Sequence, residues 1–372
     1  MNRYLEPYIQ SDLKEKMVFL GGPRQVGKTT VALNLLGNAK ENYLNWDINE
    51  HRDSILRNEL PPKGLLVLDE IHKNKSWRRF VKGLYDKSKI SHYRPILVTG
   101  SARLDYYRFS GDSLQGRYHY HRLHPLSLAE IKSTSQKDLM SLFELGGFPE
   151  PFLKGAKISA LRWSREYRNR LIRDDIIPIE EISDLTKMEL LLMRLPDLVG
   201  SPLSINALRE DLEVSHKTLK RWLDILERFY GIFRLEPFGG IKIKSVKKES
   251  KHYHFDWTLI QDSRFRFENM IASHLLKWVH FKQDTEALEL ELKFFRDTEQ
   301  REIDFVLCQN SQPTHFIECK FADDSISKTL YFIKNKYPNA NVIQLHLTGK
   351  KDFISPEGIR VMPAKSFLAD LV

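Results

Sequence analysis

The sequence predicts an α/β protein: a doubly wound parallel sheet, then a helical region carrying a winged helix-turn-helix, then a smaller carboxy-terminal α/β domain. Three observations predict it. Strands expected near 17–21, 43–47, 65–69, 95–100 and 118–123 alternate with helical stretches, the pattern of strands joined by crossover helices. A Gly-Pro break, "LGGFPEPF" at 145–152, ends that alternation, and helical patterning follows in 157–176 and 184–196. Beyond 251 a long amphipathic stretch precedes segments that alternate with a period of two. The expected division is 1–145, 146–250 and 251–372.

The first element carries the strongest signal. "MVFLGGPRQVGKTTVALNLLG" reads as strand, loop and helix, and Gly22-Pro23-Arg24-Gln25-Val26-Gly27-Lys28-Thr29 matches GxxxxGK[ST], with Thr30 continuing into the helix. The glycines let main-chain N–H groups approach phosphate oxygens, and a helix starting near Lys28 adds its positive dipole end. Lys28 is expected to reach the β- and γ-phosphates of ATP, and the Thr29 hydroxyl to ligate Mg2+. The third expected strand, "GLLVLDEIHK", is continuously apolar rather than alternating, as a central parallel strand covered on both faces requires. It ends in Asp69 and Glu70. Asp69 is expected to hold Mg2+ through its water shell, and Glu70 to orient and deprotonate the attacking water. His72 reads as a local hydrogen-bonding residue. In "RPILVTGSARL", Thr99 and Ser101 fall where a γ-phosphate sensor lies if this strand neighbours the acidic one; as turn residues they need no such role. Arg103 and Arg117 follow, and Arg117 is the candidate arginine for transition-state charge, in cis or from a neighbouring subunit.

In the middle segment Ser204 can cap a short helix over 205–212, Glu213-Val214 makes a tight turn, and Ser215 can cap a second helix over 216–229. Leu219, Trp222, Leu223, Ile225 and Leu226 form the apolar face of that second helix. A strand, Gly239-Gly240 and another strand complete a winged helix-turn-helix. Its exposed face near the start of the second helix is His216, Lys217, Lys220 and Arg221, positions that enter the major groove in a DNA-binding unit; such folds also dock proteins.

The last segment reads helix, three strands, helix, strand. "RFENMIASHLLKWVHF" carries Glu268, "REIDFVLC" carries Asp304, and "THFIECKFA" carries Glu318 and Lys320. The period of two puts Glu318 and Lys320 on one face, and "QNSQ" makes their strand a hairpin with that of Asp304. Two carboxylates and a lysine are the minimum for metal-assisted phosphodiester hydrolysis, with Glu268 as a further metal ligand. The same residues suit surface charges on a half-exposed sheet.

Composition bounds the partners. Lys and Arg number 58 against 49 Asp and Glu, a net charge of +9. Residues 1–154 contribute +7, 155–251 contribute +4, and 252–372 contribute −2. Two basic runs stand out: Arg162, Arg165, Arg168, Arg170 and Arg173, and Lys242, Lys244, Lys247, Lys248 and Lys251. They suit either a phosphate backbone or a solvated face. The expected partner is nucleic acid, DNA before RNA, with a protein partner and a homo-oligomer both open. No apolar run approaches a membrane span, and no basic-apolar-small pattern marks the start. Two cysteines, Cys308 and Cys319, make no disulfide framework. A cytoplasmic protein is expected.

The order of motifs resembles the bacterial and archaeal family of AAA-type ATPases fused to a carboxy-terminal domain of unknown function. The matching strings are "GPRQVGKTT", "LDEIHK", "VTGSARL", "GGFPEPF", "LIRDDI", "SHKTLKRWLDILE", "FENMIASHL", "EIDFVL" and "IECK". The resemblance implies a P-loop NTPase sheet of the AAA type with ATPase positions at Lys28, Thr29, Asp69 and Glu70. It also implies a restriction-endonuclease-like carboxy-terminal fold with PD-(D/E)xK positions at Glu268, Asp304, Glu318 and Lys320. Ile303 stands where such nucleases often have proline, and His72 where many relatives have glutamine.

Overall fold

The computed structural model describes residues 1–90, 93–100, 114–131, 135–178, 180–239 and 250–372. Ser101, Arg103, Lys242, Lys244, Lys247 and Lys248 lie outside the described residues. The chain divides into two compact units, 1–125 and 126–372; the expected boundaries at 145 and 250 both fall inside the second.

The first unit is a five-stranded sheet, every neighbouring pair parallel, in the order β2-β3-β4-β1-β5. Its strands are β1 (Met17–Gly21), β2 (Tyr43–Asn45), β3 (Leu66–Asp69), β4 (Ile96–Thr99) and β5 (Tyr118–Arg122). Helices α1 (Glu6–Asp12), α2 (Lys28–Leu36), α3 (Asn49–Leu56) and α4 (Trp77–Ile90) accompany it. Every residue of β1, β3 and β4 is buried, which is why these strands read as unbroken apolar runs. Met17, Phe19, Leu66, Leu68, Ile96 and Val98 pack with Trp77 and Val81 of α4 in one core. Two consequences follow for a ligand site. The P-loop leaves the carboxyl end of β1, and β4 stands between β1 and the acidic strand β3, with Asp69 in register with Thr99.

In the second unit α5 (Gln136–Leu145), α6 (Pro149–Lys154), α7 (Lys157–Arg170) and α8 (Leu185–Arg194) precede α9 (Ile205–Asp211) and α10 (His216–Arg228). The side chains of Ser204 and Ser215 accept hydrogen bonds from Ala207 N–H and Thr218 N–H, so both helices start where their caps stand. Glu213, with φ of 50°, makes the turn between them. Leu219, Trp222, Leu223, Ile225 and Leu226 are all buried. An antiparallel pair, β6 (Ile232–Leu235) and β7 (Lys251–His254), follows. Then come α11 (Ser263–Glu286), β8 (Leu290–Arg296), β9 (Glu302–Gln309), β10 (Gln312–Lys320), α12 (Lys328–Lys336), β11 (Asn341–His346), β12 (Phe353–Ile354), β13 (Ile359–Pro363) and α13 (Ala364–Ala369). The strands form a mixed sheet, β12-β13-β11-β10-β9-β8, in which β8, β9 and β10 run antiparallel and β10, β11 and β13 parallel. The closing β12–β13 pair was not anticipated, because β12 is two exposed residues with no alternation to read. No described helix is long and apolar enough to cross a membrane.

Candidate functional site

The P-loop is built by main-chain constraint. Gly22 has φ of 130°, and a Cβ there would sit 2.2 Å from the Leu123 carbonyl oxygen, so only glycine lets the chain leave β1 beside β5. Gly27, with φ of 98°, turns the chain into α2. Arg3 supports the loop from behind, its guanidinium donating to the carbonyls of Val26 at 2.5 Å and His124 at 2.6 Å. Lys28 is buried, and its Nζ donates to the carbonyls of Gly22 at 2.9 Å and Pro23 at 2.6 Å. The lysine therefore lies across the loop, where a phosphate would compete with those two carbonyls for it.

The acidic strand converges on the same place. Asp69 is buried, and three hydroxyls donate to its carboxylate: Thr29 at 2.9 Å, Thr99 at 2.5 Å and Tyr43 at 2.6 Å. Thr29 and Asp69, both expected to serve Mg2+, are thus in direct contact. Burial, with the bond to Asp69, pushes the Tyr43 phenol pKa well up. Tyr43 was missed in the sequence because β2 is three residues long and its tyrosine looks like an ordinary strand aromatic. Glu70 has a left-handed φ of 56°, strained for a residue with a side chain, as at many functional sites. Burial raises its carboxyl pKa, against the pull of Lys73. His72 is buried with Nε2 3.5 Å from Glu70 Oε2. The donor set fits a nucleotide and Mg2+: loop amides at a helix start, one lysine, one hydroxyl and one buried carboxylate.

Arg117 requires a correction. It precedes β5, which runs parallel to β1 with Tyr118 opposite Met17. It stands at the amino-terminal edge of the sheet, about 16 Å of strand from the level of the P-loop. Its Nε donates to Asp86 of α4 at 2.9 Å. Within one chain it does not serve the phosphate site.

The carboxy-terminal candidates do come together. Asp304 accepts from the Cys319 N–H at 2.8 Å, which ties β9 to β10, and Lys320 Nζ donates to Glu318 at 2.7 Å. Burial, then the charges of Glu268 and Glu318, raises the Asp304 carboxyl well above its usual range, against Lys251. Burial likewise raises Glu318 despite Lys320. The sequence reading missed what sits among them. Lys251, part of a basic run that suits either a phosphate backbone or a solvated face, is 0% exposed. Its Nζ lies 3.1 Å from Glu268, 2.7 Å from Glu302 and 3.6 Å from Asp304. A divalent ion does not fit this set as it stands, because an ammonium already lies against two of its carboxylates, Glu268 and Asp304, and against the neighbouring Glu302. Among the described residues no group of His, Cys, Asp and Glu is arranged to hold a metal ion.

The other basic positions are mixed. Arg162, Arg165, Arg170 and Arg173 are exposed, the last two paired with Glu166 and Glu189. Arg168 is half-buried, and burial lowers its pKa. His216, Lys217, Lys220 and Arg221 are all exposed on α10, with Arg221 3.2 Å from Glu180.

The fold and site of the first unit define a P-loop nucleotide-binding class, and comparison with known proteins specifies it further. Residues 14–132 match the family model described as AAA domain; the chain carries an AAA domain at its amino terminus. Residues 136–263 and 265–367 match two models described as domains of unknown function, DUF8612 and DUF4143. Among curated relatives, the uncharacterized protein MJ1637 of Methanocaldococcus jannaschii is 26% identical over 300 residues, 66% of this chain and 62% of the relative. The uncharacterized protein Rv2008c of Mycobacterium tuberculosis is 24% identical over 337 residues, 84% of this chain and 72% of the relative. The chain thus spans less than two thirds of the archaeal relative. Among solved structures, Aeropyrum pernix ORC1 in complex with DNA overlaps 74% of this chain and 94% of its own, at 12% identity and a TM-score of 0.35. A Thermotoga maritima RuvB variant overlaps 62% and 88%, at 18% identity and a TM-score of 0.29. Both overlaps are loose.

Proposed function

We propose that the protein binds and hydrolyses ATP in its first unit, and that nucleotide turnover gates the docking of DNA on its second. The observation that supports this most is the meeting of loop and acidic strand: Thr29, next to Lys28 of the loop, donates directly to Asp69. The amides of 22–27 and the Lys28 ammonium would hold the phosphates and fix their orientation. Bound Mg2+ would supply charge neutralisation on the phosphate oxygens, held by Thr29 and Asp69. Glu70, with its pKa raised by burial, would take the proton of the attacking water. Thr99 would hold Asp69 in place.

For the second unit, the exposed His216, Lys217, Lys220 and Arg221 at the start of α10, with Arg162 and Arg165 of α7, support DNA contact through a winged helix. Cleavage by Asp304, Glu318 and Lys320, with Glu268, would require the carboxylates to exchange a lysine for a metal. The ion pairs of Lys251 favour the rival reading, an adaptor whose nuclease-like domain is inert.

Two measurements test the proposal. Lys28→Ala should abolish ATP binding and change DNA retention; if DNA affinity is untouched, the gating is wrong. DNA affinity should fall with salt at a log-log slope steeper than about −3 if four or more phosphates are contacted. Salt-independent retention, unaffected by Lys217 and Lys220 substitutions, would point to a protein partner instead.

A further inference from the structure

We infer that the resident cation of the carboxy-terminal carboxylate cluster is the Lys251 ammonium, so that the cluster is a closed ion-pair lock and takes no divalent metal. The inference deepens the adaptor reading of the second unit and does not depend on the ATP site.

The geometry begins with β7. Its period of two sends Lys251 and Tyr253 to one face and His252 and His254 to the other, and all four residues are buried. On the first face Lys251 Nζ meets Glu302 at 2.7 Å, Glu268 at 3.1 Å and Asp304 at 3.6 Å. The Tyr253 hydroxyl donates at 2.7 Å to the same Glu268 oxygen that faces the lysine. On the remaining side Nζ stands 5.8 Å from the centroid of the Phe294 ring, so the ammonium is enclosed by carboxylates and an aromatic face. Glu318, the other expected metal ligand, is engaged by Lys320. Each carboxylate a metal would use is therefore already bonded to a donor of this chain. The ammonium cannot step aside into solvent, because the lysine has no exposed surface. A metal ion would have to displace this buried ammonium from the carboxylates it pairs with. Like charges packed this closely in a buried site exclude each other.

The test uses the full chain, stripped of metal and free of nucleotide, with manganese alone as the probe. Bound manganese is read from the loss of its free spin-resonance signal. Wild type and Asp304→Asn should take up the same amount. Lys251→Met should gain one ion per chain, and Lys251→Met combined with Asp304→Asn should lose that gain. A second measurement needs no variant. With an amine-acetylating reagent and mass spectrometry, Lys251 should react at least about a hundredfold more slowly than the exposed Lys217 and Lys220, as expected of an amine reached only through local opening. Millimolar manganese should leave that ratio unchanged. Manganese uptake by wild type that Asp304→Asn abolishes, or manganese-induced acetylation of Lys251, would overturn the inference and return the cluster to the nuclease reading. Absence of ATP binding would instead overturn the reading of the first unit and leave this one standing.

Discussion

Replacing His274 by glutamine should remove a defined part of the protein's acid sensitivity. His274 lies on α11, fully enclosed. Its Nδ1–H donates to the Met270 carbonyl at 2.7 Å, and its Nε2 accepts from the Leu128 N–H at 3.3 Å. With one nitrogen donating and the other accepting, the ring is held neutral; a proton on Nε2 would face an N–H donor. Burial, with the nearby Lys277 and against the Met270 carbonyl and Glu130, pushes its pKa down to about 4. A histidine depressed below its unfolded value of about 6.5 contributes stability above that pH and loses it as pH falls toward the folded value. Between pH 7.5 and 5.0 the unfolded chain takes up nearly a full proton that the folded site refuses, which costs about 2 kcal/mol. His252, down to about 4, and His254, down to about 3, both by burial, act in the same direction. The raised carboxyls of Asp256, Asp304 and Glu318 oppose them, so the variant comparison is needed to isolate one group. The assay is urea unfolding of wild type and His274→Gln at the two pH values. The variant should lose about 2 kcal/mol less than wild type over that interval. Equal losses in the two proteins would refute the reasoning, since they would mean that the ring is not held neutral by its surroundings.

Three further outcomes are expected at the P-loop. Glu70→Gln should lower ATP turnover by about a hundredfold or more while retaining nucleotide binding, as measured by phosphate release and by a fluorescent analogue. Tyr43→Phe removes one of three hydroxyls from Asp69; it should cost about 1 kcal/mol of stability in urea unfolding and raise the magnesium concentration needed for half-maximal turnover. Gly22→Ala places a Cβ 2.2 Å from the Leu123 oxygen and should cost about 3 kcal/mol or more, seen as a lowered melting temperature with loss of ATP binding.

The elements legible in advance were those whose physics is local. A buried parallel strand is a continuous apolar run, so β1, β3 and β4 stood out with their carboxyl-terminal polar ends, and with them Lys28, Thr29, Asp69 and Thr99. Ser204 and Ser215 marked their own helix starts, because a cap bonds an N–H three residues on. The hairpin of β9 and β10, and hence the approach of Asp304 to Glu318, followed from alternation around a polar turn. Tertiary structure alone decided the rest. Arg117 precedes β5 and so stands at the amino-terminal edge of the sheet, away from the P-loop, which only the parallel register with β1 reveals. Tyr43 reaches Asp69 because β2 pairs with β3, a neighbour relation that no local pattern encodes. Lys251 read as one more cation in a basic run; its burial among Glu268, Glu302 and Asp304 depends on a strand meeting residues 17 to 53 positions away. Charge in a sequence has sign but no surroundings, and it is the packing of distant segments that determines whether a lysine faces a phosphate or closes a site.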